Sequence, residues 1–442
     1  MPPSLNGPDL PIELWTKILR LAASANDATE FRGIDYTGPM CCTLPVLKPG
    51  SVRESLKTKR SMVLVNHEWN AMATPILYEH LTISKRVEFK KLLATLTSED
   101  DTELNLGCFV KRLDLTNNSS DGIPIGVAIE LCQKMTNLVT FFVQLEVNIN
   151  PVPLLAALGP QLRHLHIQDY EETFLARSHS SMSFGNLLEF LNVHPNLTSV
   201  SFPFVITGLD KVSDEFPAKN SKSRCWPSIH KWTFQHRSQT SALGLHMARG
   251  AFPSLIEVGF GRCTHSTWSQ EMKGFLAAHG NGLLTIGLGL GGEYQDPDEL
   301  SRSFQNIKDF CPCTNGVNIS IIVHEGPFRG SFTLSTAWLA QVIRIPQITT
   351  LGVRICSPRH NDERIKRLHS VVALPWPKVF PKLERIRVLE ELDVDRYRMQ
   401  DEVTRKNLAH PARWATRPIR VEDLSGTILG ELSKGLCTLV ER

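Results

Sequence analysis

From about residue 105 onward one short pattern recurs. It closes GCFVKRLDL at Leu115, MTNLVTFFV at Val143, GPQLRHLHI at Ile167 and HPNLTSVSF at Phe202. It continues through WPSIHKWTF, FPSLIEVGF, GNGLLTIGL, IPQITTLGV and FPKLERIRV, ending at Phe234, Phe260, Leu288, Val353 and Val388. A single template covers all nine: apolar, two variable, apolar, one variable, apolar. Neighbouring copies lie about 24 to 35 residues apart, except for a gap of twice that length between Leu288 and Val353. The alternating run VNISIIV, Val317 to Val323, falls inside that gap and reads as a tenth, divergent strand. A strand that recurs at this period cannot bury its apolar face alone. Stacked units share one core, so the chain must build a solenoid.

Helical segments lie between the strands: IGVAIELCQKM, SFGNLLEFLNV and WSQEMKGFLAAHG each precede a copy of the template. The unit is therefore strand, connection, helix, and crossovers between parallel neighbours are right-handed. Proline stands two residues ahead of the first apolar position at 160, 195, 227, 253, 346 and 381. Strand side chains alternate, so Leu165 and Ile167 point inward and the residue between them points to the concave side. That row comprises Asp114, Phe142, His166, Ser201, Thr233, Gly259, Gly287, Gly352 and Arg387. Its chemistry changes from unit to unit, as in a surface that reads one partner. Asp114, Phe142, His164, His166 and Arg387 are the expected target-binding residues, all facing solvent.

Bulk properties narrow the function classes. A net charge of +3 over 442 residues, with no aromatics interleaved among basic clusters, argues against a nucleic-acid partner. No apolar stretch approaches 18 residues, so no membrane span is expected, and the N-terminal MPPSLNGPDLPIELW lacks the pattern of a secretory signal. The ten cysteines are scattered and contain no C-x-x-C pair, which fits free thiols in a reducing compartment, cytoplasmic or nuclear.

Motifs that suggest chemistry have plainer readings. GLGLGG, Gly287 to Gly292, fits G-x-G-x-x-G, but its glycines occupy the strand itself rather than a strand-to-helix turn. His164 and His166 share one strand face, a spacing two metal ligands could use, yet no third ligand is suggested nearby. RESLKTKR reads as a solvated helix face. No nucleophile elbow, H-E-x-x-H or Walker sequence occurs. No cofactor, metal or catalytic residue is expected.

The first hundred residues read differently. LPIELWTKILRLAAS has Leu14 with Ile18, and Trp15 with Leu19, at i, i+4 spacing, behind a Pro11 suited to a first helical turn. Ser24 to Pro49 is an unusually long aperiodic loop. A helix from Arg53, RESLKTKRSMVLV, follows. In VNHEWNAMATPILYEHL the apolar residues Val65, Trp69, Met72, Ala73, Ile76 and Leu77 share one helical face, but Pro75 interrupts it. Thr74-Pro75 reads as an N-cap and first-turn proline, ending one helix near Ala73 and beginning another.

These residues resemble an F-box of the fungal type, with a loop inserted after the first helix. Leu10-Pro11, Glu13, Val65, Trp69 and Pro75-Ile76-Leu77-Tyr78 stand in the places of that motif. The third-helix cysteine or serine of the common pattern is Asn66 here. The downstream repeats resemble degenerate leucine-rich repeats with helices. The resemblance implies an α/β chain in three parts: an F-box domain over 1–82 with its insertion at about 24–50, an irregular solenoid of about ten units over 83–390, and a helical cap over 391–442.

It further implies a non-catalytic substrate-recognition subunit of a Skp–cullin–F-box ubiquitin ligase. The Skp adaptor would bind Leu10, Pro11, Leu14, Ile18, Leu19, Leu64, Val65 and Trp69, with cullin joined through it, and the repeats would hold a target protein. Holding a target beside the conjugating enzyme raises its effective concentration. Two alternatives stay open: a scaffold that binds the adaptor without ubiquitylation, and an enzyme with a cleft between repeats.

Overall fold

The computed structural model describes residues 10–23, 49–97, 105–115, 123–146, 149–169, 180–208, 225–247, 250–261, 268–291, 297–322, 343–356, 368, 371–372, 374–389, 417–423, 426, 428–433 and 436–439. Three helices come first: α1 (Ile12–Ala23), α2 (Pro49–Val63) and α3 (His67–Tyr78). Strand β1 (His80–Ile83) and helix α4 (Arg86–Thr97) lead into the repeats. There follow β2 (Arg112–Leu115), α5 (Ile125–Lys134), β3 (Thr140–Leu145), α6 (Val152–Ala157), β4 (His164–Asp169), β5 (Ser181–Ser183), α7 (Phe184–Val193), β6 (Ser199–Phe202) and β7 (Val205–Thr207). Next are β8 (Lys231–Phe234), α8 (Arg237–His246), β9 (Glu257–Phe260), α9 (Trp268–His279), β10 (Thr285–Gly291), α10 (Pro297–Phe310), β11 (Gly316–Ile322), β12 (Thr350–Cys356) and β13 (Arg385–Val388). The chain closes on β14 (Ile419–Glu422), β15 (Ile428–Ser433) and β16 (Leu436–Leu439).

Fourteen of these strands form one sheet, in the order β1-β2-β3-β4-β6-β8-β9-β10-β11-β12-β13-β14-β15-β16. It is parallel from β1 to β14 and antiparallel beyond. The molecule is a solenoid-like α/β fold whose helices pack on one side of the sheet. All nine template copies are adjacent parallel strands but for one place, and there β11, from the VNISIIV run, fills the gap between β10 and β12.

The template has a physical reason at each position. Its three apolar residues, such as Leu162, Leu165 and Ile167, are buried in the core shared with the helices. There Phe275 of α9 meets Phe234 and Phe260 edge to face, at 4.8 and 6.2 Å. The proline before the first apolar residue opens a β-turn: Leu162, Leu197, Ile229, Leu255 and Leu383 each donate their N–H to the carbonyl three residues back. The two variable positions carry the inter-repeat seam. In each unit both N–H groups converge on one carbonyl of the unit before: Arg163 and His164 on Val139, Thr198 and Ser199 on Arg163, His230 and Lys231 on Thr198, Ile256 and Glu257 on His230. The chain of carbonyls runs from Glu79 to Glu384. Backbone groups are thus satisfied whatever side chains occupy those positions, which leaves the side chains free to vary.

Four expectations need correction. Helix α3 is continuous through Pro75. The donor that proline lacks would have met the carbonyl of Ala71, an exposed residue whose carbonyl water can reach, while Ala73 and Ile76 bury on either side of it. The start of α3 is capped by Asn66, whose side-chain oxygen accepts from Trp69 N–H at 2.8 Å. The sheet begins at His80, inside the stretch assigned to the N-terminal domain, and α2 begins at Pro49 rather than Arg53. The described part of the C-terminal segment is strand rather than helix: β14 continues the sheet and β15 and β16 fold back on it. Alternating apolar residues in IRVE and LCTL suit a half-buried strand. Most of the expected loop insertion (24–48), and residues 390–416, lie outside the described residues.

Candidate protein-docking surfaces

The three N-terminal helices hold a small core of their own: Leu19, Ala23, Met62, Ala73 and Ile76, with Val63, Trp69 and Met72 packed against it. Trp15 of α1 and Trp69 of α3 meet at 5.8 Å between ring centroids and lock the two helices together. Other hydrophobic residues of this module face water. Leu14 is 45% and Ile18 43% exposed on α1, and Leu64 and Val65, in the turn between α2 and α3, are 82% and 56% exposed. Ile12 and Leu21 extend the same exposure along α1. Sequence reasoning missed both, although Ile12 and Leu21 flank Leu14 and Ile18 in a helix whose polar residues, Glu13, Thr16, Lys17 and Arg20, keep to one side. Pro11 is exposed and Leu10 half-buried.

Leu19 must be removed from the expected adaptor contacts. At 1% exposure it is the centre of the small core and holds α1 in place. The i, i+4 pairing of Trp15 with Leu19 marked the inner face of α1, and Leu14 with Ile18 the outer one.

The second surface is the face of the sheet turned away from the helices. Strand register places Thr82, Asp114, Phe142, His166, Ser201, Thr233, Gly259, Gly287, Asn318, Gly352, Arg387 and Glu422 in one continuous row. Every residue expected in the row is there, and Thr82, Asn318 and Glu422 join it. His164 lies one row away, opposite Thr140 and Ser199. Ten of the twelve residues in the row are buried, the pattern of a sheet rolled with this face inside.

The expectation of solvent-facing side chains fails for most of the row. Phe142 is 3% and His166 8% exposed, and Asp114 is buried too. Rolling crowds the inner face, and neighbours close over one another. Phe142 stacks on His166, whose Nε2 is hydrogen-bonded at 2.9 Å to Gln168. Gln235 donates to Ser201 Oγ and to the Ile167 carbonyl, at 2.8 and 2.9 Å. Phe142, His164 and His166, with Thr140 and Ser199, line a shallow depression. Arg387 is half-buried and ion-paired with Glu422 at 3.2 Å.

Charge is ordered along this face. Arg112 bonds both oxygens of Asp114 through Nε, at 3.0 and 2.9 Å, and His80 Nε2 donates to Oδ2 at 2.9 Å. Burial raises the Asp114 pKa, but the His80 hydrogen bond and the Arg112 charge outweigh it and hold the carboxyl below the usual range. Burial, then the positive charges of Lys231 and Arg354, push His166 down to about 3. Burial, then Arg163, Arg112 and Lys231, push His164 down to about 4. Both imidazoles are neutral at physiological pH. Among the described residues no group of three or more His, Cys, Asp or Glu could hold a metal, and no helix is long and apolar enough to cross a membrane.

No protein-family model matches the chain, and no curated protein matches it. Among solved structures it is similar to a chain of "Crystal structure of Rad7 and Elc1 complex in yeast", at 12% identity over 85% of this chain and 88% of that one, with a TM-score of 0.31.

Proposed function

We propose that this chain is a non-catalytic adaptor, the substrate-recognition subunit of a Skp–cullin–F-box ubiquitin ligase. One observation carries the reading: Leu14, Ile18, Leu64 and Val65 are exposed on a helical module whose core is complete without them. Apolar residues that leave no gap in their own core and stay exposed suit a partner. Burying each side chain of that size against one is worth roughly 1.5–3 kcal/mol. The F-box resemblance names the partner as the Skp adaptor. The inner face of the sheet then serves the target, whose ubiquitylation follows from proximity rather than from bond chemistry on this chain. Affinity capture of the full chain tests the reading: Skp adaptor and cullin should be recovered together. Recovery of neither would overturn it.

A further inference from the structure

At the C-terminal end of the rolled sheet, like charges face each other. Arg385 on β13 stands directly opposite Arg420 on β14, and its neighbour on the other side, across β12, is the uncharged Thr350. Like charges in directly opposed positions of neighbouring strands destabilise a sheet. Among the described residues neither arginine forms an ion pair. Glu431, opposite Arg420 on β15, is not joined to it. One row along, Arg387 gives a terminal nitrogen to Glu422, while its buried Nε has no hydrogen-bond partner. Arg354 presents a fourth guanidinium on the same face of β12. Arg420 is exposed, and Arg354 and Arg385 are half-buried, so this end of the face is open to water where the middle is closed.

We propose that this arginine cluster binds an acidic, Glu- or Asp-rich segment of the target protein, with a carboxylate bridging Arg385 and Arg420. The inference rests on the adaptor reading for its partner, since it names what the sheet's inner face receives. One guanidinium gives the carboxylate two parallel hydrogen bonds while the second donates to an outer lone pair, and the negative charge offsets the repulsion between the arginines. Charge complementarity favours a singly charged carboxylate over a phosphate group, because Glu422 and Glu431 lie within the same patch and repel a dianion more strongly. It favours a peptide over a nucleic acid as well: the open-face positions of β12 and β13 are Thr350, Gly352, Arg354, Arg385 and Arg387, with no aromatic side chain on which a base could stack.

The test uses the full chain and a fluorescein-labelled peptide of alternating Glu and Ser, read by anisotropy. Binding should weaken with added salt and be absent for the same peptide with Gln in place of Glu. Arg385→Gln with Arg420→Gln should weaken it about tenfold or more, as the loss of charge-assisted contacts predicts. Arg420→Gln alone, at an exposed position, should weaken it in the same direction without disturbing the fold. Arg163→Gln, exposed beside β4, should leave it unchanged. No binding of the Glu peptide, or binding indifferent to both arginine variants, overturns the proposal. Tighter binding of a phosphoserine peptide or of single-stranded RNA overturns it in favour of those ligands. Skp-adaptor capture by the same variants keeps the two readings apart. Peptide binding without adaptor capture leaves this proposal standing and removes the adaptor reading, and the converse result does the opposite.

Discussion

The ring of Phe142 lies flat against that of His166, centroids 4.9 Å apart and planes 11° from parallel, across the register of two neighbouring repeats. At the strand positions expected to meet solvent, these two side chains instead pack together inside the roll of the sheet. Phe142→Ala should therefore destabilise the chain by about 3 kcal/mol, as for a buried aromatic. Chemical denaturation measures it. A loss under about 0.5 kcal/mol, normal for a surface site, would return Phe142 to the role of an exposed anchor.

The histidines give the fold a pH dependence of known sign. His164, His166 and His279 are held down to about 4, 3 and 4 in the folded chain, in each case first by burial. Unfolded, each titrates near 6.5. Between those values the unfolded state binds more protons, so stability is present above about pH 6.5 and falls as the pH drops toward 4. Asp114 adds to the loss below that, since its carboxyl is held low in the fold and protonates only in stronger acid. His166→Gln should flatten the slope between pH 6 and 4 by up to about 1.4 kcal/mol per pH unit. An unchanged slope would show that His166 does not titrate differently on folding.

The boundary between helical module and solenoid lies at Tyr78–Glu79. Lys111 pairs with Glu79 at 2.6 Å, and both Lys111 and Arg112 donate to the Glu79 carbonyl. Deleting residues 1–78 should leave a cooperatively melting repeat domain. Deleting 1–83 removes β1 and takes His80 from buried Asp114, so it should melt earlier and, with the Asp114 carboxyl no longer held as low, lose less of its stability toward acid. Equal melts for the two would place the boundary elsewhere.

Gly107 admits no side chain. A Cβ there would stand 2.1 Å from the backbone oxygen of Lys134, which cannot swing aside. Gly107→Ala should cost about 1–3 kcal/mol through overpacking, read from thermal melts, whereas Gly126→Ala, with nothing near its Cβ, should not destabilise.

The solenoid was legible because its signal is repeated. Apolar residues in one phase mark the sheet and the core, and alternation alone put Asp114, Phe142, His166 and Arg387 in one row. Burial within that row was not legible, because rolling depends on how tightly all the helices pack behind the strands, which no single repeat encodes. Pro75 misled for a local reason. A proline costs a helix one hydrogen bond, and that cost is small where the stranded carbonyl is wet and its neighbours are buried. The N-terminal surface was legible except for Leu19: a helix with apolar residues on both faces does not reveal which face its own core will take. Arg385 and Arg420 lie 35 residues apart, within the repeat spacing, but their pairing was not legible because the template's last apolar position, Val388 in β13, falls on Asp423 after β14.

The most direct test of the adaptor account is a titration of purified Skp adaptor into the full chain, compared with a variant carrying Leu14→Asp and Leu64→Asp. Both residues are exposed, so the variant should melt within about 0.5 kcal/mol of the unaltered chain. The account predicts saturable binding by the unaltered chain and its loss in the variant, because a carboxylate buried without a partner in an apolar interface is costly. Adaptor binding of equal affinity by both chains, or by neither, would contradict it.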